Sequence, residues 1–209
     1  MHAVRSGVTT LAVALTPALC VAQHLSTTPL TVSEGRIDAL PSGRLSVSTP
    51  KMRAVATSPT GDVAELRFTY LGPTASDIPR GSGAMRRQIG LKLRAANPCN
   101  LVYVMWRIDP TPGIVVSVKL NPAQETSAEC ENGGYTNIRP RRQSPAPAIS
   151  PGDPHTLRAD LADELTVTAD GRVVWQGPLP DVASRLDGNV GIRTDNGRFE
   201  FELAAAPPR

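Results

Sequence analysis

Aromatic residues are scarce in this 209-residue chain, because phenylalanine, tryptophan and tyrosine together make up only 4% of it. So few aromatic side chains leave little surface on which nucleic-acid bases could stack. The formal net charge of +3 at pH 7 is mildly basic, and no run of lysine or arginine exceeds two residues. We therefore predict no nucleic-acid partner.

Long apolar runs are missing as well. No stretch reaches the roughly 18 consecutive apolar residues that a membrane helix needs, so we predict no transmembrane segment. A short apolar run at residues 8–18 follows Arg5 and ends near small residues before Gln23. This layout is typical of a secretory signal peptide cleaved after Ala22, and a buried N-terminal helix is the alternative. We expect a secreted or periplasmic protein.

Cysteine is rare, with three residues in the chain. Cys20 belongs to the predicted signal peptide; its retention as a lipid anchor is an alternative that the bulky Leu19 before it disfavours. Cys99 and Cys130 remain, and we predict that they form a disulfide in an oxidising compartment. Closing that loop would contribute roughly 3–4 kcal/mol to stability. Two free thiols are the alternative, and two cysteines without a nearby histidine make half a zinc site at best.

Helix signals are nearly absent after residue 22, whereas 20 prolines and 17 glycines separate short alternating runs. This spacing is typical of an all-β sandwich or barrel. Two hairpins are predicted by Asp170-Gly171 and Asn196-Gly197, which lie between alternating runs. A proline-rich loop is predicted over residues 140–154. The predicted strands cover residues 44–48, 63–71, 88–94, 101–108, 114–120, 155–161, 164–169, 172–177, 190–194 and 198–203.

The last third of the chain carries a resemblance. The stretches "LTVTADGRVVWQGPLP" and "GNVGIRTDNGRFEFEL" resemble the closing strands of the concanavalin A-like lectin/glucanase superfamily. That resemblance implies an all-β, two-sheet antiparallel β-sandwich (jelly roll) with one concave face, on which sugar-binding members hold glycan. It implies no particular activity, because this fold carries many functions. We accordingly predict a signal peptide at 1–22, a linker at 23–36, the sandwich at 37–203 and a disordered tail at 204–209.

Polar side chains recur on one side of three consecutive predicted strands. Side chains alternate between the two faces of a strand, so these residues should point away from the core. If the three strands are neighbours, the side chains share one surface, where arginine suits carboxylate or sulfate groups and tyrosine offers a flat face to a sugar ring. A plain solvated sheet face is the alternative. The predicted ligand-binding residues are Gln88, Lys92, Arg94, Tyr103, Arg107 and Lys119.

No catalytic motif is found. Alginate-lyase-like jelly rolls carry a "QIH" strand and a tyrosine-bearing late strand; here Gly90 replaces the histidine, and "GIRTDNGRF" lacks tyrosine. Glu200 and Glu202 share one side of a terminal strand but fit a polar outer surface better than a glycosidase pair. Asp187, Asp195 and Asn196 could bind calcium. Because the Asp187-Gly188 and Asn196-Gly197 pairs are explained as turns, we predict no cofactor and keep calcium as the alternative.

These observations favour an exported, non-catalytic glycan-recognition module whose partner is a polysaccharide or glycan surface, with anionic polysaccharide as the candidate ligand. Two alternatives stay open. The first is a polysaccharide lyase or glycoside hydrolase with unrecognised catalytic groups. The second is a structural envelope protein without a small ligand, for which we expect a flat, shallow sheet face.

Overall fold

The computed structural model of the chain describes residues 25–81 and 83–208. The predicted signal peptide and Cys20 therefore lie outside the described residues. Two antiparallel sheets pack against each other, which confirms the predicted two-sheet β-sandwich. The described part of the chain holds two short helices, α1 (Ser127–Cys130) and α2 (Asp181–Ser184), neither of which is long and apolar enough to cross a membrane.

The first sheet has nine strands. Its central strands, Val63–Pro73 and Gly197–Ala205, pair over almost their full length, which places the C-terminal strand in the middle of the sheet. In spatial order the strands are β11 (Arg142–Gln143), β14 (Arg172–Gly177), β13 (Leu165–Ala169), β12 (Pro154–Leu161), β6 (Val63–Pro73), β16 (Gly197–Ala205), β4 (Leu45–Val47) and β3 (Asp38–Ala39), with β1 (Ser26–Thr27) pairing to β16.

The second sheet has seven strands. In spatial order they are β10 (Tyr135–Asn137), β9 (Gly113–Lys119), β8 (Asn100–Asp109), β7 (Arg87–Asn97), β15 (Asn189–Asp195), β5 (Lys51–Ala56) and β2 (Leu30–Glu34). The three strands that carry the predicted ligand-binding residues, β7, β8 and β9, are direct neighbours, as that prediction requires.

The core lies between the sheets and contains both tryptophans. Trp106 and Trp175 are each 1% exposed, as their positions on apolar sides of strands indicate. Phe68 of β6 meets the Trp106 ring edge-on, with 5.7 Å between ring centroids, and so joins the two sheets. Burial of each such side chain contributes about 1.5–3 kcal/mol, so the alternating apolar residues supply the main force that holds the sandwich together.

The hairpin predicted at Asp170-Gly171 is confirmed, because β13 and β14 pair on either side of it and the two residues adopt φ values of 49° and 76°. The hairpin predicted at Asn196-Gly197 is wrong. Asn196 does turn the chain, with a φ of 53°, but β15 belongs to the seven-stranded sheet and β16 to the nine-stranded sheet, so the turn carries the chain from one sheet to the other. Asparagine, aspartate and glycine tolerate the left-handed region better than other residues do, so the sequence signal marks a turn at both places but does not specify which strands pair.

The predicted disulfide between Cys99 and Cys130 is also present, with an S–S distance of 2.06 Å. It joins the turn between β7 and β8 to the end of α1 and so ties α1 to one end of the seven-stranded sheet.

Two predicted boundaries are wrong. The predicted linker at 23–36 contributes β1 and β2, which pair with β16 and β5. The predicted disordered tail begins inside β16, where Ala205 and Ala206 are 4% and 6% exposed and continue the ladder beside Val63. In both cases the backbone pairs with a strand far away along the chain, which composition alone does not reveal.

Candidate functional site

The candidate site is the side of the seven-stranded sheet that is turned away from the core, called the cationic face below. Cross-strand pairing brings Lys92 of β7 opposite Tyr103 of β8, and Gln88 opposite Arg107. Lys119 of β9 lies opposite Leu101 of β8, two residues along β8 from Tyr103 and on the same side of the sheet. Five of the six predicted ligand-binding residues are therefore brought together on one surface.

Arg94 is the exception, and its expected place on this face is wrong. It occupies a bulge with a φ of 48°, after which the alternation shifts and Ala95, not Arg94, packs beside Tyr103. An inserted residue moves every later side chain to the opposite face of a strand. The Arg94 guanidinium is paired with Asp62, at 2.8 and 2.9 Å, and with the Ser184 carbonyl at one end of the sandwich.

Two further strands, β5 and β15, add a buried ion cluster to the face. Arg193 lies opposite Arg53 across this pair of strands. The Asp195 carboxylate accepts hydrogen bonds from Arg53 Nη2 at 2.6 Å, from Arg193 Nε at 2.9 Å and from Gln88 Nε2 at 2.5 Å. Burial alone would raise the pKa of Asp195, but the charges of Arg193 and Arg53 lower it below its ordinary range. One carboxylate therefore serves two guanidinium groups.

The two tyrosines of the face play different parts. Tyr103 is 4% exposed, with the Arg193 guanidinium 5.0 Å from its ring centroid and the Tyr135 ring stacked on it at 5.9 Å. It is thus covered, and it does not offer the open flat surface that the sequence predicts. Tyr135 of β10 is the partly exposed ring, and Lys119 Nζ lies 5.2 Å from its centroid. Tyr135 is the better candidate to contact a sugar ring.

Lys119 is held by the disulfide loop. Its ammonium donates to the carbonyls of Pro98 and Glu131, at 3.3 and 3.0 Å, and lies 3.0 Å from Cys130 Sγ. Burial is the main cause that lowers the pKa of Lys119. The disulfide therefore positions a cation of the candidate site as well as closing the chain.

Two cavities open on the cationic face, with volumes of about 270 and 230 Å³. Tyr103, Tyr135 and Arg193 line both, so they form the floor between the two. These volumes lie just below the range of about 300–1,000 Å³ typical of small-molecule sites. The cationic face is therefore indented at these two places, whereas the structural-protein alternative predicts a flat sheet face.

The lining of these cavities is strongly cationic. All three lysines of the chain line the first cavity. Burial, followed by the charge of Arg193, lowers the pKa of Arg80 to about 10, and burial also lowers the pKa of Arg107. In the described part of the chain, three carboxylates stand at the cavities or directly beneath them, those of Glu34, Glu131 and Asp195. The cations are Lys51, Arg53, Arg80, Arg86, Lys92, Arg107, Lys119 and Arg193.

Two buried polar atoms on this face lack a hydrogen-bond partner among the described residues. They are Gln88 Oε1 and Arg107 Nε, on paired positions of β7 and β8. A buried polar atom without a partner is costly, which favours sites where a ligand or solvent supplies one. Both residues line the second cavity.

The residues of the other candidate sites do not come together among the described residues. A Cβ atom at Gly90 would lie 2.2 Å from the Val104 carbonyl oxygen, so the position does not accept the histidine of alginate-lyase-like strands. Asp187 lines a separate cavity at the end of the sandwich, away from Asp195. Within residues 25–81 and 83–208, no cluster of three or more His, Cys, Asp or Glu side chains suited to a metal ion is found. Glu200 is paired with Arg44 at 3.3 Å.

Sequence reasoning missed Arg53, Arg193 and Tyr135. A signal existed for two of them. In "KMRAVA" the buried Met52 and Ala54 alternate with Arg53, and in "NVGIRTD" the buried Ile192 alternates with Arg193. The missing information was the long-range pairing of β15 with β5 and β7, which no local pattern specifies.

No protein-family model matches the chain, and no curated protein matches it significantly. Solved structures do match. The carbohydrate-binding module CBM66 from Bacillus subtilis superposes with a TM-score of 0.56 at 13% identity, covering 84% of this chain and 92% of that one. A chain from work on endo-acting O-glycanases of the human gut microbiota superposes with a TM-score of 0.52 at 11% identity, covering 88% and 95%.

The likeness to these two structures and the strand order establish a two-sheet jelly roll. A tetrameric galectin from the sponge Cinachyrella also matches, with a TM-score of 0.47 at 16% identity over 75% of this chain and 99% of the galectin. At these identities the likeness establishes the jelly roll alone, because the fold does not determine the function.

Proposed function

We propose that this jelly roll is an exported glycan-recognition module that binds an anionic polysaccharide on its cationic face. The observation that carries the proposal is the excess of cations around two cavities lined by Tyr135 and Arg193. Carboxylate and sulfate groups are the ligands that such an excess attracts and orients. The CBM66 structure, named as a carbohydrate-binding module, supports the glycan part of the proposal. The disulfide supports export, because such bonds persist in oxidising compartments.

The choice of an anionic glycan depends on the state of the cations. The Arg107 Nε atom is buried without a partner, and among the described residues no carboxylate pairs with Lys92. A neutral glycan would leave this positive charge uncompensated, whereas an acidic one would balance it. The covered position of Tyr103 also leaves less open aromatic surface than a module for neutral sugars would use.

The experiment is a binding panel of purified full-length protein against paired polymers that differ in charge. The pairs are dextran sulfate with dextran, and polygalacturonate with its methyl-esterified form. We expect binding to the charged member of a pair, weaker at physiological than at low salt because screening shortens the reach of these charges. Binding of neutral and charged members alike, or of neither, would contradict the proposal.

A charge-matched variant pair locates the binding. Lys92→Met with Arg107→Ala removes one cation from each cavity, whereas Arg67→Ala with Arg158→Ala removes two cations from the outer face of the nine-stranded sheet. We expect the first double variant to weaken binding by at least about tenfold and the second to leave it unchanged. Release of reducing ends or unsaturated uronates by the wild-type protein would favour the enzyme alternative instead.

A further inference from the structure

Lys92 differs from the other buried cations of the face. It lies on β7 between Gly191 of β15 and Tyr103 of β8, and it is 4% exposed. Its side chain lines the first cavity. Among the described residues, no side chain or carbonyl accepts a hydrogen bond from its ammonium, although two guanidinium groups, of Arg53 and Arg193, line the same cavity.

The neighbouring cations show the contrast. Arg193 and Arg53 share the Asp195 carboxylate, and Lys119 donates to the Pro98 and Glu131 carbonyls. Each of these cations is thus compensated inside the protein. Lys92 combines burial, two like charges nearby and no compensating acceptor.

An ammonium that lines a cavity between two like charges, with no partner in the protein, is unfavourable, so such a lysine is either neutral or compensated by solvent or a ligand in the cavity. Burial, and then the charges of Arg53 and Arg193, lowers the pKa of Lys92 to about 7, while Glu34 partly opposes this. The amine therefore changes its charge in the neutral range, unlike an ordinary lysine with a pKa of about 10.4.

We propose that Lys92 forms an anion subsite in which one acidic group of the glycan, a carboxylate or a sulfate, binds together with one proton. This deepens the proposed function and rests on it for the identity of the ligand. The proton goes to Lys92 Nζ, the anion stabilises the resulting ammonium, and no covalent bond is made or broken. The flanking guanidinium groups of Arg53 and Arg193 add to the attraction for the anion.

Other titratable and charged groups face the same cavity, and they define the controls. Glu34 of β2 and Glu131 of the α1 loop are the acidic ones, and Tyr103 and Tyr135 are the phenols. Burial raises the pKa of Tyr103 to about 12, whereas Arg193 and Lys119 lower the pKa of Tyr135 despite its burial. The remaining cations of the cavity are Lys51, Arg80 and Lys119.

The sign of the pH dependence follows from the coupled proton. Below about pH 7 Lys92 is already charged, so anion affinity is highest and independent of its titration. Above that pH the anion must bring a proton with it, so its affinity falls by up to about tenfold per pH unit. Lys92→Arg keeps the charge at all these pH values and removes this dependence. Tyr135→Phe retains it.

The experiment uses lysine-selective ¹³C labelling of the full chain, which gives three side-chain signals because the sequence has three lysines. The Lys92 signal is identified by its loss in Lys92→Met, and Lys51→Arg and Lys119→Arg identify the other two. We expect the Lys92 signal to titrate near neutral pH and its midpoint to move upward on addition of galacturonate or inorganic sulfate. A neutral sugar, galactose, is the matched control and should leave the midpoint in place.

Each outcome of this titration either supports or overturns the anion subsite at Lys92. A Lys92 midpoint at the ordinary lysine value, or one that neither anion moves, overturns it even if a polysaccharide binds elsewhere on the face. A shift with the small anions but no binding of any acidic polymer supports the subsite and contradicts the proposed function. A shift with galacturonate alone assigns the subsite to carboxylate, and a shift with sulfate alone assigns it to sulfate.

Discussion

The outer face of the nine-stranded sheet pairs its positive and negative side chains, whereas the cationic face of the seven-stranded sheet holds an excess of positive ones. On the outer face Arg67 is 2.8 Å from Glu65, and Arg158 is 3.6 Å from the same carboxylate and 3.7 Å from Asp160. Positive and negative groups alternate there at close range. On the cationic face eight cations stand with three carboxylates, and all three lysines of the chain lie there.

This difference separates a solvated surface from a candidate binding surface. Exposed ion pairs contribute little to stability but keep a sheet face locally neutral. Crowded, partly buried cations destabilise the free protein, and a site that holds them is favoured by a ligand of opposite charge. The comparison predicts that equivalent substitutions on the two faces have unequal and sometimes opposite effects.

The largest effect is expected at Asp195. Asp195→Asn leaves Arg53 and Arg193 buried without their shared carboxylate, so we expect a loss of about 3–5 kcal/mol in the free energy of unfolding. The matched change on the outer face, Asp160→Asn, should cost at most about 1 kcal/mol. Urea denaturation of both variants measures the difference, and equal losses would contradict the contrast between the faces.

The ion cluster around Asp195 should also make the free energy of unfolding of the wild-type protein depend on pH in the acid range. Because the pKa of Asp195 is lowered in the folded state, its contribution is present above the unfolded value of about 3.9 and is lost as the pH falls further. Asp195→Asn should flatten that part of the stability profile.

The disulfide comes next. Its cysteines are 31 residues apart, so its removal in Cys99→Ser with Cys130→Ala should cost roughly 3–4 kcal/mol through the greater freedom of the unfolded chain. The loop carbonyls that hold Lys119 then become mobile, so the ¹³C signal of Lys119 should change while that of Lys51 does not. A stability loss with an unchanged Lys119 signal would show that the loop holds this cation without the disulfide.

The smallest expected change is at Lys92, and it raises the free energy of unfolding instead of lowering it. Lys92→Met replaces an uncompensated buried cation with an apolar side chain of similar length, so it should stabilise the free protein by at least about 1 kcal/mol, or roughly 2–4 °C in Tm. The folded-state pKa of Lys92, about 7, lies below the unfolded value. The gain is therefore greatest below about pH 7 and shrinks towards about pH 10, where the unfolded lysine also loses its proton.

Thermal unfolding at several pH values measures that gain. Arg158→Met on the outer face is the control, and it should change Tm little at any pH because its ion pairs are partly exposed. Destabilisation by Lys92→Met, at any pH in this range, would contradict the placement of an uncompensated cation at Lys92.

Local pattern was sufficient for much of the fold and for part of the site. Alternation in "QIGLKL" and "VYVMWR" predicted both strands and placed Lys92, Tyr103 and Arg107 opposite the core, because the period of a strand is fixed by its geometry. The two positive-φ turns at Asp170 and Asn196 were predictable because aspartate, asparagine and glycine tolerate that backbone conformation.

What the sequence did not reveal depends on long-range pairing or on irregular backbone. Arg94 has no residue-type signal for a bulge, and the partners that its side chain meets there, Asp62 and Ser184, are distant in the sequence. Arg53 and Arg193 were on recognisable alternating stretches, but their convergence on Asp195 required knowing that β5, β15 and β7 are neighbours.

The most direct test of the account is a backbone amide chemical-shift map of the full chain titrated with an oligogalacturonate. The account predicts shifts centred on Lys92, Tyr103 and Arg193 in the seven-stranded sheet, with galactose oligomers producing none. Shifts centred on Arg67 and Arg158 in the nine-stranded sheet, or around Arg94 at the end of the sandwich, would contradict it.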